Sequence, residues 1–156
     1  MSTENSFKVY SGIPAAKMNQ ALAVAKLNNL QLLSYTVTAS DLDSKAVVNL
    51  AKLLPGQVII QASAVVNDAF TLADEATVTV GLANSASADP TGATLLDEKQ
   101  TTFALNQAFN DTNNAPYVVQ AATAFLNVQV NDVSTTATAD GTFVVNLLVS
   151  NSAVNV

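Results

Sequence analysis

The amino-acid sequence predicts a mainly β protein, an antiparallel β-sandwich of jelly-roll-like design with about seven or eight strands. Apolar and polar residues alternate with a period of two in one segment after another, which is the pattern of half-buried strands. Polar turn residues separate these segments at regular short intervals, as is typical of sandwiches and barrels. Because no helical segment interrupts the strands, parallel βαβ units are excluded.

The amino-terminal part of the chain differs from the rest. We expect residues 1–30 to form an arm with a possible short helix, and residues 31–156 to form the sandwich domain. Ala15–Leu30 is rich in good helix formers. Its apolar residues do not keep to one stripe, so an extended arm laid across a neighbouring subunit remains the alternative to a helix.

The first two strands are predicted before the proline-glycine turn. Leu32–Ser40 alternates between apolar and polar residues, and the polar turn Ser40–Ser44 ends it. Lys45–Leu54 places Ala46, Val48 and Leu50 on one face. This second strand is closed by Pro55-Gly56.

The stretch from Leu53 to Leu82 gives the clearest strand pattern. In Val58–Val66 we expect the even-numbered positions to share one face and the odd-numbered positions the other, and both faces are apolar enough for a central strand. Asn67–Glu75 is predicted as a loop that Phe70 and Leu72 anchor to the sandwich. Thr77–Leu82 then resumes alternation with β-branched residues and predicts another strand.

The carboxyl-terminal half alternates between loops and strands. Asn84–Thr94 is predicted as a surface loop, Leu95–Leu105 as at most two short strands, and Asn110–Asn114 as an exposed loop. In the strand Ala122–Asn131, apolar residues from Leu126 onward oppose a polar face.

The last strand is predicted to begin at Thr142 and to place Phe143 and Val145 on one face. Asp140-Gly141 has the composition of a hairpin turn. We therefore expect Val133–Ala139 to pair with the last strand.

Composition and charge exclude several classes of function. Six lysines and no arginine stand against twelve acidic residues, for a formal charge of -6. Nucleic acid is therefore not expected as a partner, because binding to it depends on clustered cations. No apolar run approaches the roughly 20 residues that span a bilayer, so no membrane partner is expected. The amino terminus has no secretory signal pattern, so we expect synthesis in the cytoplasm without export by that route.

No residues are predicted as catalytic, cofactor-binding or metal-binding. The chain has no histidine and no cysteine, and the adjacent acidic pairs Asp74-Glu75 and Asp97-Glu98 would point to opposite faces of a strand. We therefore expect a protein that is not an enzyme and has no cofactor. Acidic loops could offer calcium ligands, but Asn and Asp are explained there as solvated turn residues. These loops contain Asn67-Asp68, Asp74-Glu75, Asp89, Asn110-Asp111 and Asn131-Asp132.

Turn and strand residues give the chain a resemblance to one family. A leucine-proline-glycine turn precedes an alternating strand that ends in Asn, Asp and Phe, and a Thr/Val strand then closes on glycine before an aspartate-containing loop. The pattern resembles that of the small head-decoration, or cement, proteins of tailed double-stranded DNA phages, and it covers Ser34 to Ser150. The matching residues are Leu54, Pro55, Gly56, Val58, Ile60, Asn67, Asp68, Phe70, Val78, Val80 and Gly81.

The resemblance implies a non-enzymatic virion structural protein that decorates and stabilises the outside of a phage capsid by clamping neighbouring capsid subunits. Its implied partners are the major capsid protein and copies of itself, as a homotrimer or another homo-oligomer. It would be made in the host cytoplasm and reside on the outer surface of the virion. A tail, neck or fibre component is the nearest alternative, and a cell-surface or carbohydrate-binding β-sandwich module is the other.

Overall fold

The computed structural model describes residues 30–119 and 122–151. The predicted arm or helix of residues 1–29 lies outside the described residues, and Leu30 is the first residue of a strand. A 3-10 helix, Ala39–Lys45, follows that strand. The strands are β1 (Leu30–Thr38), β2 (Val48–Leu53), β3 (Val58–Asp68), β4 (Phe70–Ala83), β5 (Ala93–Phe103), β6 (Asn110–Asp111), β7 (Tyr117–Val118), β8 (Ala124–Val130), β9 (Ala137–Ala139) and β10 (Thr142–Ser150).

The strands form two antiparallel sheets, which confirms the predicted β-sandwich. The four-stranded sheet has the order β1-β10-β3-β7, and the six-stranded sheet has the order β2-β8-β4-β5-β6 with β9 added to β4. Without the short strands β6 and β9, this is the interleaved strand order of an eight-stranded jelly roll, in which every connection except that from β4 to β5 crosses between the sheets.

Four phenylalanine rings occupy one end of the core between the two sheets. Phe70 and Phe103 stack with ring centroids 4.5 Å apart, and Phe109 and Phe143 lie 4.9 Å apart. Contacts from Phe70 to Phe143 and from Phe103 to Phe109, both at 5.9 Å, close the cluster. The four rings therefore join the two sheets, because Phe143 belongs to the four-stranded sheet and its partners Phe70 and Phe103 belong to the six-stranded one.

The loop predicted at Asn67–Glu75 is wrong. β3 continues to Asp68 and β4 begins at Phe70, so the two strands are separated by a single residue. Phe70 and Leu72 are buried as predicted. Of the polar residues that suggested a loop, Asn67 and Asp68 end β3. Asp74 and Glu75 lie in an irregularity of β4, where its pairing with β5 shifts register between Thr71 and Ala76.

The predicted faces of Val58–Val66 are also partly wrong, although β3 does lie inside its sheet as a central strand. Ile59 is fully buried and Ile60 is not. The register against β10 shifts between the partners of Leu148 and Val149, and this bulge at Ile60 exchanges the two faces at the start of the strand.

Two further predictions in the carboxyl-terminal half are corrected. The segment predicted as at most two short strands is the single strand β5, which pairs with β4 along most of its length. Pairing with β4 thus outweighs the weak local pattern of β5.

The predicted hairpin at Asp140-Gly141 is also wrong, because β9 pairs with β4 while β10 pairs with β1 and β3. Gly141 packs so tightly on the Asp68 and Ala69 carbonyls that a Cβ would lie 2.4 Å from each.

Removing a ring from the phenylalanine cluster should destabilise the whole sandwich. We expect Phe143→Ala to lower the free energy of unfolding by about 3–5 kcal/mol, as large-to-small core substitutions do. Phe125→Ala is the matched control, since Phe125 is only half-buried, and it should cost about 1–2 kcal/mol. Urea unfolding followed by circular dichroism measures both, and equal losses would contradict the role of the cluster in joining the two sheets.

Candidate functional site

The two sheets differ in charge. No charged residue occurs in β1, β7 or β10, and β3 has one, Asp68, at its last position. The six-stranded sheet contains seven charged residues in its strands. These are Lys52, Asp74, Glu75, Asp97, Glu98, Lys99 and Asp111. Charge is therefore segregated to one side of the sandwich.

The outward side of the four-stranded sheet forms a continuous surface, which we name the uncharged face. Residues directly opposite one another in antiparallel strands lie on the same side of a sheet, and three such rows cross β1, β10 and β3. The face consists of the row Leu32, Leu148 and Gln61, the row Ser34, Asn146 and Ser63, and the row Thr36, Val144 and Val65.

Apolar side chains and uncharged hydrogen-bonding groups alternate on this face. Leu32 is 70% exposed and packs beside the partly exposed Leu148. In the central row the Ser34 hydroxyl donates a hydrogen bond to the Asn146 side-chain oxygen. Depletion of charge at a patch that retains apolar groups is the compositional mark of the centre of a protein–protein interface.

The six-stranded sheet has a different outward side, because residues 84–92 fold back over it. The side chains of Asn127 and Gln129 are 0% and 7% exposed, although they lie opposite the core-facing residues of β8. The Asn127 amide donates to the carbonyls of Ser85 (3.0 Å) and Ala88 (2.8 Å). The polar face predicted for this strand is thus buried under the loop.

Further hydrogen bonds hold the loop and the buried amides beneath it in place. Gln129 Nε2 donates to Asp89 Oδ1 at 2.8 Å and to the Lys45 carbonyl at 3.0 Å. Asn49 Nδ2 donates to Asn127 Oδ1 at 2.9 Å. The ion pair of Lys45 with Asp89, 3.9 Å long and partly exposed, adds little to stability by comparison.

A glycine allows the loop to approach the sheet so closely. A Cβ on Gly81 would lie 2.7 Å from the carbonyl oxygens of Pro90 and Ala93, which is too close for any side chain. The backbone N–H of Gly92 also donates to the Leu82 carbonyl at 2.8 Å. A loop held in this way presents a fixed shape to solvent.

Two adjacent hollows flank this loop. The first, of about 250 Å³, is lined by Asn84, Asp89 and Thr91, and the second, of about 180 Å³, by Tyr117 and Thr123, among others. Both are bounded by Ala83, Asn84 and Gly92. Together they form a small groove with amide, carboxylate and hydroxyl groups and one aromatic ring.

Several of the acidic and amide residues considered as calcium ligands have structural hydrogen bonds. Asn67 Oδ1 accepts from the Thr142 hydroxyl at 2.7 Å, and Asn131 Oδ1 accepts from the Thr77 N–H at 2.9 Å. Asp97 accepts from Asn110 at 2.9 Å. Within residues 30–119 and 122–151, no group of three or more acidic side chains has an arrangement that could hold a metal ion.

Two loop carboxylates accept several hydrogen bonds each. The Ser40 hydroxyl and the Ser40 N–H, at 2.9 and 3.0 Å, hold the pKa of Asp140 below its ordinary value. The N–H and hydroxyl of Ser134 lower the pKa of Asp132 in the same way. Both carboxylates fasten turns, and Asp140 joins the connection after β1 to the connection before β10.

Sequence reasoning missed both surfaces. The uncharged face could have been found by comparing charges between strands, but only with the assignment of strands to sheets, which local alternation does not give. The buried amides had a weak signal, since Asn127 and Gln129 are amides in a strand whose polar face contains no lysine or glutamate. None of the described helices is long and apolar enough to cross a membrane.

Comparison with known proteins gives two likenesses of structure. One is to a chain of the capsid of Ralstonia phage GP4, with 14% identity, coverage of 78% of this chain and 83% of that chain, and a TM-score of 0.48. The other is to a chain of the cyanophage Pam1 capsid asymmetric unit, with 15% identity, coverage of 96% and 99%, and a TM-score of 0.49. No family model matches the chain, and no curated protein matches it. At these identities and TM-scores the likenesses carry no argument about function.

Removing the buried amide of Asn127 should release the loop at residues 84–92. Asn127→Ala leaves the carbonyls of Ser85 and Ala88 without their donor, so we expect a loss of about 1–3 kcal/mol in unfolding free energy and faster amide exchange in the loop. Gln31→Ala, which removes an exposed amide of β1, is the control and should change neither quantity measurably. Unchanged exchange in the loop of Asn127→Ala would contradict the role of the amide network.

The hydrogen bonds to Asp140 predict a specific pH dependence. Because its pKa is lower in the folded state than in the unfolded state, Asp140 stabilises the fold above the unfolded value of about 4, and this contribution is lost as pH falls through the folded pKa. Asp140→Asn should therefore lower the melting temperature at pH 7 and have a smaller effect near pH 2.5.

The matched control is Asp74→Asn, which alters an exposed aspartate in the irregular part of β4. Thermal unfolding of the three proteins between pH 2.5 and pH 7 measures the effect. A deficit for Asp140→Asn that is equal at all pH values would show that ionisation of Asp140 is not involved.

Proposed function

We propose that this protein is a non-enzymatic structural protein of a phage virion, which binds to the outside of the capsid and stabilises it by clamping neighbouring capsid subunits. The resemblance of its turn and strand pattern to head-decoration proteins supports this proposal. The jelly-roll strand order is compatible with it, since viral capsid proteins commonly use this architecture. Because fold alone does not fix function, the surface of the protein has to indicate what it binds.

The uncharged face is the observation that supports the proposal best. It lies on the regular part of the four-stranded sheet, so its side chains are held in fixed positions before binding, which lowers the entropic cost of association. A flat face without charges can be covered by a partner without desolvating an unpaired ion. We assign it as the surface that contacts the major capsid protein.

The size of this face is consistent with binding in many copies. Its three rows span five residues of each strand, or about 17 Å, and three strands spaced by about 4.8 Å then give an area on the order of 250 Å². This is about a third of what one partner buries in a typical stable interface. One such contact is weak, whereas a homo-oligomer that binds through several copies gains by avidity. A homotrimer, or another homo-oligomer, is the form we expect.

Net charge supports placement on the outer surface of the virion. With a formal charge of -6, the protein would be repelled by packaged DNA inside the shell. The charged strands belong to the six-stranded sheet, which in this arrangement faces solvent. Synthesis in the host cytoplasm before addition to the shell completes the proposal.

Two other functions are retained as alternatives. A tail, neck or fibre component would use the same face against a different virion protein. A carbohydrate-binding module is favoured by the groove beside Asn84, where Tyr117 could stack on a sugar ring and Asp89 could accept hydrogen bonds from its hydroxyl groups. Glycan-array binding that is lost in Tyr117→Ala would favour the module.

The leading proposal is tested by adding purified protein to mature shells that lack it. We expect saturable binding at a fixed copy number and increased resistance of the shells to heat and chaotropes. Thr36→Glu and Ser63→Glu each place a charge on the uncharged face, and we expect binding to weaken by about tenfold or more. Cosedimentation measures binding, and calorimetry measures shell stability.

Thr101→Glu provides the control, because Thr101 is an exposed residue of β5 in the six-stranded sheet. This variant should bind as the wild type does. If the wild-type protein fails to bind shells, the decoration role is wrong. If Thr36→Glu and Ser63→Glu bind as well as Thr101→Glu, the role can stand but the assigned face is wrong.

A further inference from the structure

The outer edge of β1 is exceptional among the sheet edges of the described residues. β1 is nine residues long, contains neither proline nor a charged residue, and pairs with β10 in continuous register without a bulge. Its other edge has no partner strand within residues 30–119 and 122–151. Such an edge exposes a row of backbone N–H and C=O groups that can pair with another strand.

The other sheet edges have features by which proteins avoid edge pairing. β6, β7 and β9 are only two or three residues long, and beyond β7 the backbone of residues 106–109 bonds to β3. β2 contains Lys52 and a register shift, and β5 continues past β6 with Glu98 and Lys99. Charges, bulges, short strands and covering loops all disfavour strand addition. Among the described edges, that of β1 alone lacks these features.

The hydrogen bonds of β1 show which of its backbone groups face this edge. Directly after the pair of Thr38 with Thr142, the Ala39 N–H donates to the Gly141 carbonyl at 2.9 Å. Along an antiparallel strand, the N–H and C=O of one residue point to one neighbouring strand, and those of the next residue point to the other. The odd-numbered residues of β1 therefore bond to β10. The even-numbered ones, from Leu30 to Thr38, offer their N–H and C=O groups at the open edge.

Apolar side chains along this edge are also incompletely covered. Leu32 is 70% exposed on the outward side of the sheet, and Leu33 and Tyr35 point toward the core but are only partly buried. Leu50 on β2, the edge strand of the other sheet, is in the same condition. A further strand beside β1 would cover part of this apolar surface, and its burial would add to the backbone hydrogen bonds.

We propose that β1 pairs with β1 of a second copy of this chain, antiparallel and about a two-fold axis at Ser34, so that the two four-stranded sheets form one continuous sheet. This contact gives an interface to the homo-oligomer of the proposed function, which it narrows to a dimer. It rests on the proposed function only in that respect, since the pairing itself requires no capsid.

An axis at Ser34 uses the whole strand and matches its open backbone groups. Leu30 lies opposite Thr38 of the second copy and Leu32 lies opposite Thr36, so even-numbered residues meet even-numbered residues and exchange N–H···O=C bonds. Two bonds per pair give about ten in all, which is the number in a typical protein–protein interface. An axis one residue away would leave the strand ends unpaired. An axis between two residues would oppose even-numbered with odd-numbered residues and lose these bonds.

A second copy is the favoured occupant because the strand is complementary to itself. Pairing about a two-fold axis places a strand opposite its own residues, and like charges in such positions would repel one another. β1 has no charged residue. On the inward side, Leu33 lies opposite Tyr35 of the second copy, so each covers apolar surface of the other. One contact of this kind fills both open edges and closes the assembly at two copies.

The uncharged face would become twice as large in this dimer. A two-fold axis in the middle of an antiparallel pair is perpendicular to the sheet, so both copies present this face on the same side. The row that ends at Leu32 in one copy continues into the row that ends at Thr36 in the other. The dimer therefore offers a shell two adjacent faces, and avidity strengthens a contact that is weak for a single copy.

Thr36→Pro tests whether the open backbone groups join the two copies. Proline removes the Thr36 N–H, which points at this edge and is not used by β10, and proline is tolerated at such positions of edge strands. We expect the wild-type protein to sediment as a dimer at about 50 µM, and the dissociation constant of Thr36→Pro to rise by about tenfold or more. Thr36→Val, which keeps the N–H, is the matched control and should dimerise as the wild type does. Analytical ultracentrifugation measures all three proteins, and thermal unfolding checks that they are folded.

Disulfide trapping tests the register, and the absence of native cysteine removes background. Ser34→Cys places the new side chain opposite its equivalent in the second copy, with Cα atoms about 5.5 Å apart, within disulfide range. Mild oxidation should therefore give a disulfide-linked dimer on non-reducing gels. Thr36→Cys is the control, because its two equivalents would lie about 14 Å apart, and it should not cross-link.

Several results would overturn the proposal. A wild-type protein that is a monomer or a trimer at about 50 µM would exclude the dimer, and a folded Thr36→Pro that associates as the wild type does would exclude edge pairing. Equal cross-linking of Ser34→Cys and Thr36→Cys, or cross-linking of neither in a folded protein, would exclude the register. If Thr36→Pro does not fold, the cysteine variants decide. Because these experiments contain no shells, the dimer and the binding to a capsid can each fail without the other.

Discussion

Insertion of the last strand between β1 and β3 holds the four-stranded sheet together. β1 and β3 do not pair with one another, so without β10 nothing would join β1 to β3 and β7. The inward residues of β10, from Phe143 to Val149, are fully buried, and its outward residues form the middle of the uncharged face. The same strand therefore determines both the stability of the core and the continuity of the candidate docking surface.

This arrangement makes the fold depend on contacts distant in sequence. The pairing of Leu30 with Ser150 joins residues near the two ends of the described chain, and bringing such residues together costs loop-closure entropy before any contact compensates. Local patterns identify β10 as a strand, because Phe143, Val145 and Leu147 alternate with less buried residues. They do not identify its neighbours, which explains why Asp140-Gly141 resembles a hairpin turn although β9 and β10 belong to different sheets.

The sequence predicts the pattern within a single strand, but it does not predict which strands become neighbours. Period-two alternation is set by the pleat of a single strand, so the strands at Leu30–Thr38, Val58–Asp68 and Thr142–Ser150 were predictable. Bulges shift that period, and Ile59 is buried in place of Ile60 for this reason. The candidate surfaces were less predictable, since the uncharged face combines residues from three strands and the burial of Asn127 requires a loop that begins some 40 residues earlier in the chain.

The two sides of the sandwich are suited to different tasks. One side presents a regular, uncharged surface on hydrogen-bonded strands, and the other is charged and has a loop fixed by buried amides. A protein that binds a shell on one side and faces water on the other needs this asymmetry. The proposed function therefore requires one orientation of the sandwich on the shell. Cryo-electron microscopy of shells saturated with the protein should show β1, β10 and β3 against the capsid subunits and the loop at residues 84–92 toward solvent; density with the six-stranded sheet against the shell would contradict the account.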